Sequence, residues 1–321
     1  LSDSLKKFLK IAVPILIGLG LVFYSYASTT PEDRTKILEA IKNADPIWVI
    51  LSVAIGILSH VSRAIRWNYL LDPIGYRPKL INNVLIILTS YFANTLVLRS
   101  GEFLRATALN TYENVPFEKG FGTIVTERII DLIMLLLIIT IAMLVQTDVI
   151  LGILEENGIG LAGSLTLLIV GVGGLLIAIR LIKKSTSKFA VKIKTFLNGL
   201  LDGVLSIFKM KRRGAFIFHT FLIWACYIAM FWVIKFTVPE TTDLPLGAFL
   251  VAFVAGAFAM ATTNGGLGLF PIMVTAALSV YGISKTSGDA YGWIMWTAQT
   301  LMVVVFGTIS FIVLPLLNRN R

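Results

Sequence analysis

Thr262-Thr263-Asn264-Gly265-Gly266-Leu267-Gly268 lies in the middle of an apolar run that extends from Gly247 to Tyr281. Without this heptad the run would read as one long membrane-crossing helix. Asparagine competes for backbone hydrogen bonds through its side chain, and glycine spends backbone entropy that other residues do not, so the cluster breaks a helix. The run therefore reads as two half-helices that enter and leave by the same face. A second run, Leu80 to Asn110, is interrupted in the same way between Asn94 and Gly101.

Composition makes lipid the solvent. Of 321 residues, 56% are hydrophobic and 14% charged, against about 25% charged in an ordinary soluble domain. Apolar stretches at Leu9–Tyr26, Ile47–Leu58, Ile130–Val145, Leu161–Ile182, Ala215–Ile234 and Trp293–Leu317 mark helices of the roughly 20-residue length a bilayer core requires. Some reach that length only when a few polar residues are admitted. The first follows Lys6, Lys7 and Lys10 as a signal peptide would, but Tyr24-Ser25-Tyr26-Ala27 lacks a small-x-small cleavage pattern, so a retained helix is expected.

Basic residues set orientation. Arg180 to Arg213 holds ten of them with the single acid Asp202, whereas Gln146–Gly160 and Thr237–Leu246 carry acids alone. The first segment is expected to be cytoplasmic and the other two external. The N-terminal lysines, the Arg77–Lys79 loop and the terminal Arg319 and Arg321 add further cytoplasmic points. Parity then requires Leu80–Asn110 to return to the cytoplasm and Gly247–Tyr281 to return outside. Thr30-Pro31-Glu32-Asp33 starts a short surface helix with a capping acid, and residues 188–208 pattern as an interfacial helix.

The expected fold is an all-α polytopic membrane helix bundle, with about six full transmembrane helices and two re-entrant helical hairpins. It forms a single transmembrane domain over 1–321, built as an inverted-topology repeat of 1–150 and 151–321. Repeats of this kind place a binding site where discontinuous helices meet near the midplane.

Eight ionisable residues fall inside this scheme: Arg63, Arg66, Arg99, Glu102, Arg105, Glu127, Arg128 and Asp131. At about 2.5 to 3.5 kcal/mol for each charge at a helix centre, they must face one another or water. Arg63 and Arg66 are three apart, Arg99, Glu102 and Arg105 repeat every three, and Glu127 and Asp131 are four apart, so each set shares a helix face. Arg128 points partly elsewhere. A purely structural ion network is one reading. The other is an anion site, because arginine holds phosphate oxygens with a planar fork of donors. In the second hairpin Thr263, Asn264, Gly265 and Gly266 offer neutral hydrogen bonds, or simply close packing.

Other chemistry is thin. His60, beside Ser59 and Ser62, reads as a hydrogen-bonded structural histidine, and His219 offers less. No nucleophile with a base, no metal-ligand cluster and no phosphate-cradling glycine loop stands out, so neither cofactor nor metal is expected. Cys226 is the single cysteine, inside an apolar run. The net charge of +10 sits in loops expected to be cytoplasmic, which argues for no nucleic-acid partner.

The charged stretches carry a resemblance. Ser62-Arg63-Ala64-Ile65-Arg66-Trp67, Arg99-Ser100-Gly101-Glu102-Phe103-Leu104-Arg105 and Thr126-Glu127-Arg128-Ile129-Ile130-Asp131 are similar to the transmembrane region of the lysylphosphatidylglycerol synthases, the multiple peptide resistance factors, and to their stand-alone relatives. The likeness covers nearly the whole chain. It implies movement of aminoacylated phospholipid between leaflets, the aminoacyl transfer belonging to a separate soluble domain that does not follow in this sequence. One departure stands out. Gly265-Gly266-Leu267-Gly268 is followed by Leu269, Phe270 and Pro271 where the family commonly has an Arg-Glu pair, so an acidic contribution from the second hairpin is missing.

The expectation is thus a lipid transporter or flippase, not an enzyme, taking an anionic or aminoacylated phospholipid headgroup through a charged intramembrane cavity. Its substrate-binding set comprises the eight ionisable residues with Thr263, Asn264, Gly265 and Gly266. The alternative is a membrane-embedded enzyme, or an accessory subunit to one, acting on a lipid-linked sugar or isoprenoid phosphate. Expected partners are membrane lipids and a second copy of the chain in a homo-oligomer. The expected location is the cell inner (cytoplasmic) membrane, multi-pass, with both termini cytoplasmic.

Overall fold

The computed structural model describes residues 3–97, 99–156 and 210–319, with scattered positions between 160 and 194. The span expected at Leu161–Ile182, the interfacial helix at 188–208 and most of the basic segment lie outside the described residues.

Every described element is helical: α1 (Asp3–Ala27), α2 (Pro31–Lys42), α3 (Pro46–Leu71), α4 (Leu80–Leu96), α5 (Ser100–Glu113), α6 (Phe117–Val145), α7 (Thr147–Glu156), α8 (Arg213–Ile234), α9 (Leu246–Thr262), α10 (Leu269–Ser279) and α11 (Lys285–Leu317). Of these, α3, α6, α8 and α11 are long and apolar enough to cross a membrane. The chain is a multi-pass membrane helix bundle. Large apolar side chains such as Phe23, Ile47, Leu144 and Phe311 stand exposed, as they would where acyl chains cover the surface.

Local chemistry sets the helix ends. Thr30 caps α2, its hydroxyl accepting the Asp33 amide and donating to Asp33 Oδ2 at 2.7 Å, with Pro31 at the first turn. Asp45 Oδ1 accepts the Ile47 amide to open α3 ahead of Pro46. Ser284 caps α11. This longest helix starts eight residues before the apolar run at Trp293 because its first turns are polar and capped, not apolar. A helix also occupies Thr147–Glu156, within a segment whose acids mark it only as external.

The chain divides into two compact units, residues 1–127 with 214–321, and residues 128–213. In the first, α11 packs against α2, α3, α4 and α10, α4 packs against α3 and α5, and α9 against α10. Small residues permit the close approaches. A Cβ on Gly307 would lie 2.5 Å from Phe92 Cβ and 2.9 Å from the Leu88 carbonyl, and one on Gly256 would meet the Phe270 ring at 2.7 Å. Phe231 gathers Phe249, Phe253, Phe270 and Tyr291 around itself.

The second unit holds most of α6, and α7. Within it Arg128 Nη1 lies 3.9 Å from Asp131 Oδ2.

Candidate functional site

Three helices of the first unit bring their charges to one point. Arg63 and Arg66, three apart on α3, face the same way, and Glu127 from α6 meets both with one oxygen: Arg63 Nη1 and Arg66 Nη2 each lie 2.8 Å from Oε1. Its other oxygen, Oε2, takes Arg105 Nη2 from α5 at 2.7 Å. All four residues are at most 2% exposed. Three guanidinium groups thus meet at the Glu127 carboxylate, buried between helices.

Neutral groups complete the setting. From α8, the Tyr227 hydroxyl accepts Arg63 Nη2 at 3.0 Å and Thr220 Oγ1 accepts Arg66 Nη1 at 3.3 Å. The Arg105 guanidinium lies 3.8 Å over the Trp67 ring, whose indole N–H donates to Thr123 Oγ1 at 2.9 Å. Stacking of this kind and forked hydrogen bonding are properties of arginine that lysine lacks.

The break between α4 and α5 shapes the approach to this cluster. Asn94 Oδ1 accepts the Gly101 amide at 2.7 Å, so the α4 side chain caps the start of α5. No Cβ could replace the Gly101 hydrogen without striking the Ser90 carbonyl and the Asn94 amide. Arg99 takes a left-handed conformation, φ 60°, and reverses the chain. Its side chain consequently stands exposed and outside the cluster, although it repeats at helical spacing with Glu102 and Arg105. Glu102 is half-buried. Arg128 and Asp131 belong to the second unit and pair there.

The second break, between α9 and α10, brings together Thr263, Asn264, Gly265 and Gly266. Thr263 Oγ1 turns back to the Ala259 carbonyl at 2.9 Å, and Trp296 of α11 donates to the Gly265 carbonyl at 2.8 Å. Gly265, Gly266 and Gly268 all have positive φ, a backbone that side-chain-bearing residues rarely adopt. Gly265 approaches the Thr95 methyl at the end of α4, and Gly268 packs against Gly18, Leu21 and Val22 of α1.

Two contacts depart from expectation. His60 is buried beside Tyr91, ring centroids 4.5 Å apart, and its Nδ1 has no hydrogen-bond partner. Neither neighbouring serine serves it, since Ser59 bonds the Gly56 carbonyl and Ser62 bonds His219 Nδ1 at 2.8 Å. The Ser62–His219 pair joins α3 to α8 across 157 positions of sequence. With Ser62 2% exposed and no third group orienting the imidazole among the described residues, it is a tie between helices. Among the described residues, no cluster of three or more His, Cys, Asp or Glu could hold a metal.

Comparison with known proteins follows the same residues. The family described as the lysylphosphatidylglycerol synthase TM region matches residues 11–307. A UPF0104 membrane protein of Pyrococcus horikoshii is 24% identical over 306 residues, 88% of this chain and 89% of that protein. Another from Methanocaldococcus jannaschii is 32% identical over 99 residues, 30% of each chain. Glycosyltransferase AglD of Haloferax volcanii is 32% identical over 164 residues, half of this chain and 25% of AglD. The matched stretches thus cover less than a third of these last two relatives. No solved structure matches the chain.

Proposed function

This chain belongs to the lysylphosphatidylglycerol synthase transmembrane-region family, and we propose that it moves an anionic or aminoacylated phospholipid headgroup across the inner membrane. The observation that carries this reading is the convergence of Arg63, Arg66 and Arg105 on Glu127, all four buried, with Arg63, Arg66 and Glu127 on membrane-length helices.

A headgroup phosphate is a chemical analogue of the Glu127 carboxylate: two oxygens, negative charge, and a geometry that matches the guanidinium fork. Phosphate entering the cluster would exchange with the carboxylate for arginine donors, so the anion moves between partners of similar strength without a long stay unpaired in hydrocarbon. Acyl chains remain in the bilayer. Arg99, exposed about 9 Å up α5 from Arg105 at roughly 1.5 Å per residue, serves as a first capture point. In this scheme 1–150 and 151–321 form the inverted repeat, with the two breaks facing each other.

A second reading rests on the similarity to AglD, which is named a glycosyltransferase. It is a membrane subunit that presents a lipid-linked sugar phosphate to a transferase. The same arginines would hold the phosphate, but no translocation would follow.

Lipid translocation in reconstituted vesicles, run beside a melting curve for each variant, separates these readings. Arg105→Lys keeps the charge but loses the fork and the Trp67 stack. Translocation by Arg105→Lys is expected to fall at least tenfold while its Tm stays within a few degrees. Full translocation by the Lys variant would remove Arg105 from the headgroup path. No translocation of any labelled phospholipid by the wild type would favour the subunit reading.

A further inference from the structure

Each helix break has an asparagine beside it, Asn94 at the first and Asn264 at the second. Asn94 stands in the last turn of α4, six residues before Ser100, and Asn264 stands two residues past the end of α9, five before Leu269. Their hydrogen bonding differs. Asn94 caps α5 through the Gly101 amide at 2.7 Å. Asn264 is 5% exposed, and among the described residues neither its Oδ1 nor its Nδ2 has a hydrogen-bond partner.

The neighbours of Asn264 are already engaged. Thr262 and Thr263 donate to the Phe258 and Ala259 carbonyls, each at 2.9 Å. The Gly265 carbonyl takes the Trp296 indole, and the Asn264 carbonyl itself accepts the Leu267 amide. A buried amide left without partners is costly, and helix breaks at membrane depth are tolerated where they are buried in protein or line a wet cavity. The first break closes on its own asparagine, whereas the second keeps one available next to the N-terminus of α10.

We infer that Asn264 forms an uncharged headgroup subsite at the α9–α10 break, selecting a hydroxyl-bearing headgroup, glycerol or sugar, over one without a hydroxyl such as ethanolamine. The inference deepens the proposed lipid-binding function and rests on it. An amide has both a donor and an acceptor to satisfy. A hydroxyl answers both at once. A phosphate only accepts and would leave Oδ1 bare, and an ammonium only donates and would leave Nδ2 bare. The first turn of α10, Leu269-Phe270-Pro271, carries no charge, which leaves hydrogen bonding to decide. Phosphate recognition stays with the arginines.

The test uses the full chain in detergent, titrated with dioctanoyl phosphatidylglycerol, dioctanoyl phosphatidylethanolamine, and glycerol 3-phosphate as the lipid-free form of the same chemistry. Wild type is expected to bind the glycerol lipid at least fivefold tighter than the ethanolamine lipid. Asn264→Leu should abolish that preference by weakening the glycerol lipid alone. Asn264→Ala, which cannot strain the break by size, should do the same and keeps the test valid if the Leu variant folds poorly. Saturable binding of glycerol 3-phosphate, lost in both variants, would support the same subsite with a free ligand. Unchanged preference in both Asn264 variants, with Arg105→Lys weakening both lipids, would overturn the subsite and leave the arginine site standing. Equal binding of both lipids by wild type would overturn the subsite, and no saturable binding of either lipid by wild type would overturn the lipid-binding reading itself. A rise in Tm for Asn264→Leu with unaltered lipid preference would identify Asn264 as an internal packing defect only, and would also overturn the subsite.

Discussion

Glu127 is the residue on which the cluster depends, because both of its oxygens are committed and all three arginines are buried around it. Breaking a buried ion pair by removing one member typically costs about 3–5 kcal/mol, since the charges left behind have lost their counter-charge, whereas deleting a whole set is often neutral. Glu127→Gln alone should therefore lower stability by about that amount. Adding Arg63→Gln and Arg66→Gln to it should restore part of the loss. Equilibrium unfolding of the single and triple variants checks this, and simple additivity would show that the groups are independently solvated. The core of this set was legible in the sequence because charges in apolar helices are expensive, and i,i+3 spacing put Arg63 beside Arg66. Tyr227 and Thr220 were not, since a hydroxyl inside an apolar run carries no comparable signal. Arg99 lies apart from the cluster for a physical reason: its spacing from Arg105 is helical, but it precedes α5 in a left-handed conformation, so the helix face does not extend to it.

Helix ends and crossings show the same division. The Thr30 cap and both breaks could be read from the chain, because capping and helix-breaking are local chemistry. The early start of α11 could not, since it depends on Ser284 and on contacts far away in sequence. Glu240 accepts the Ser284 amide at 2.8 Å and the Ser284 hydroxyl at 2.6 Å, and these bonds, with the nearby Ser287, hold its carboxyl below the usual value of 4.5. A lowered carboxyl pKa contributes stability that is present above the unfolded value and lost as pH falls through the folded one. Acidification from neutrality to below about 4.5 should thus loosen the loop before α9 from the start of α11, and Glu240→Gln should remove that component. The difference between wild-type and variant Tm across this range measures it, and a constant difference would refute it. Close packing of α4 on α11 is testable too. Gly307→Leu would force a side chain against Phe92 and Leu88 and should cost about 1–3 kcal/mol, as overpacking does. An unchanged melt would mean that the two helices can separate.

At the scale of the molecule, charge bias and helix parity jointly constrain topology. If the Arg77–Lys79 loop is cytoplasmic, α3 enters from outside, and the pair α4–α5 must return to the cytoplasm for α6 to leave it. If Thr237–Leu246 is external, the pair α9–α10 must return outside for α11 to end with Arg319 in the cytoplasm. The two pairs then enter from opposite faces, which is the condition for an inverted repeat, and the Gly265–Thr95 approach is where two such hairpins would meet. The sequence carries this only as parity, since no residue identity between the halves marks the repeat and the span expected at Leu161–Ile182 lies outside the described residues. Single cysteines settle the orientation. In a Cys226→Ser background, Arg77→Cys and Asp243→Cys both place a thiol at an exposed position in a loop flanking one hairpin. A membrane-impermeant maleimide applied to intact cells should label Asp243→Cys and spare Arg77→Cys, with the pattern reversed in inverted vesicles. Labelling of both from the same side would require one hairpin to cross the bilayer fully, and the opposed breaks and the repeat would fall together.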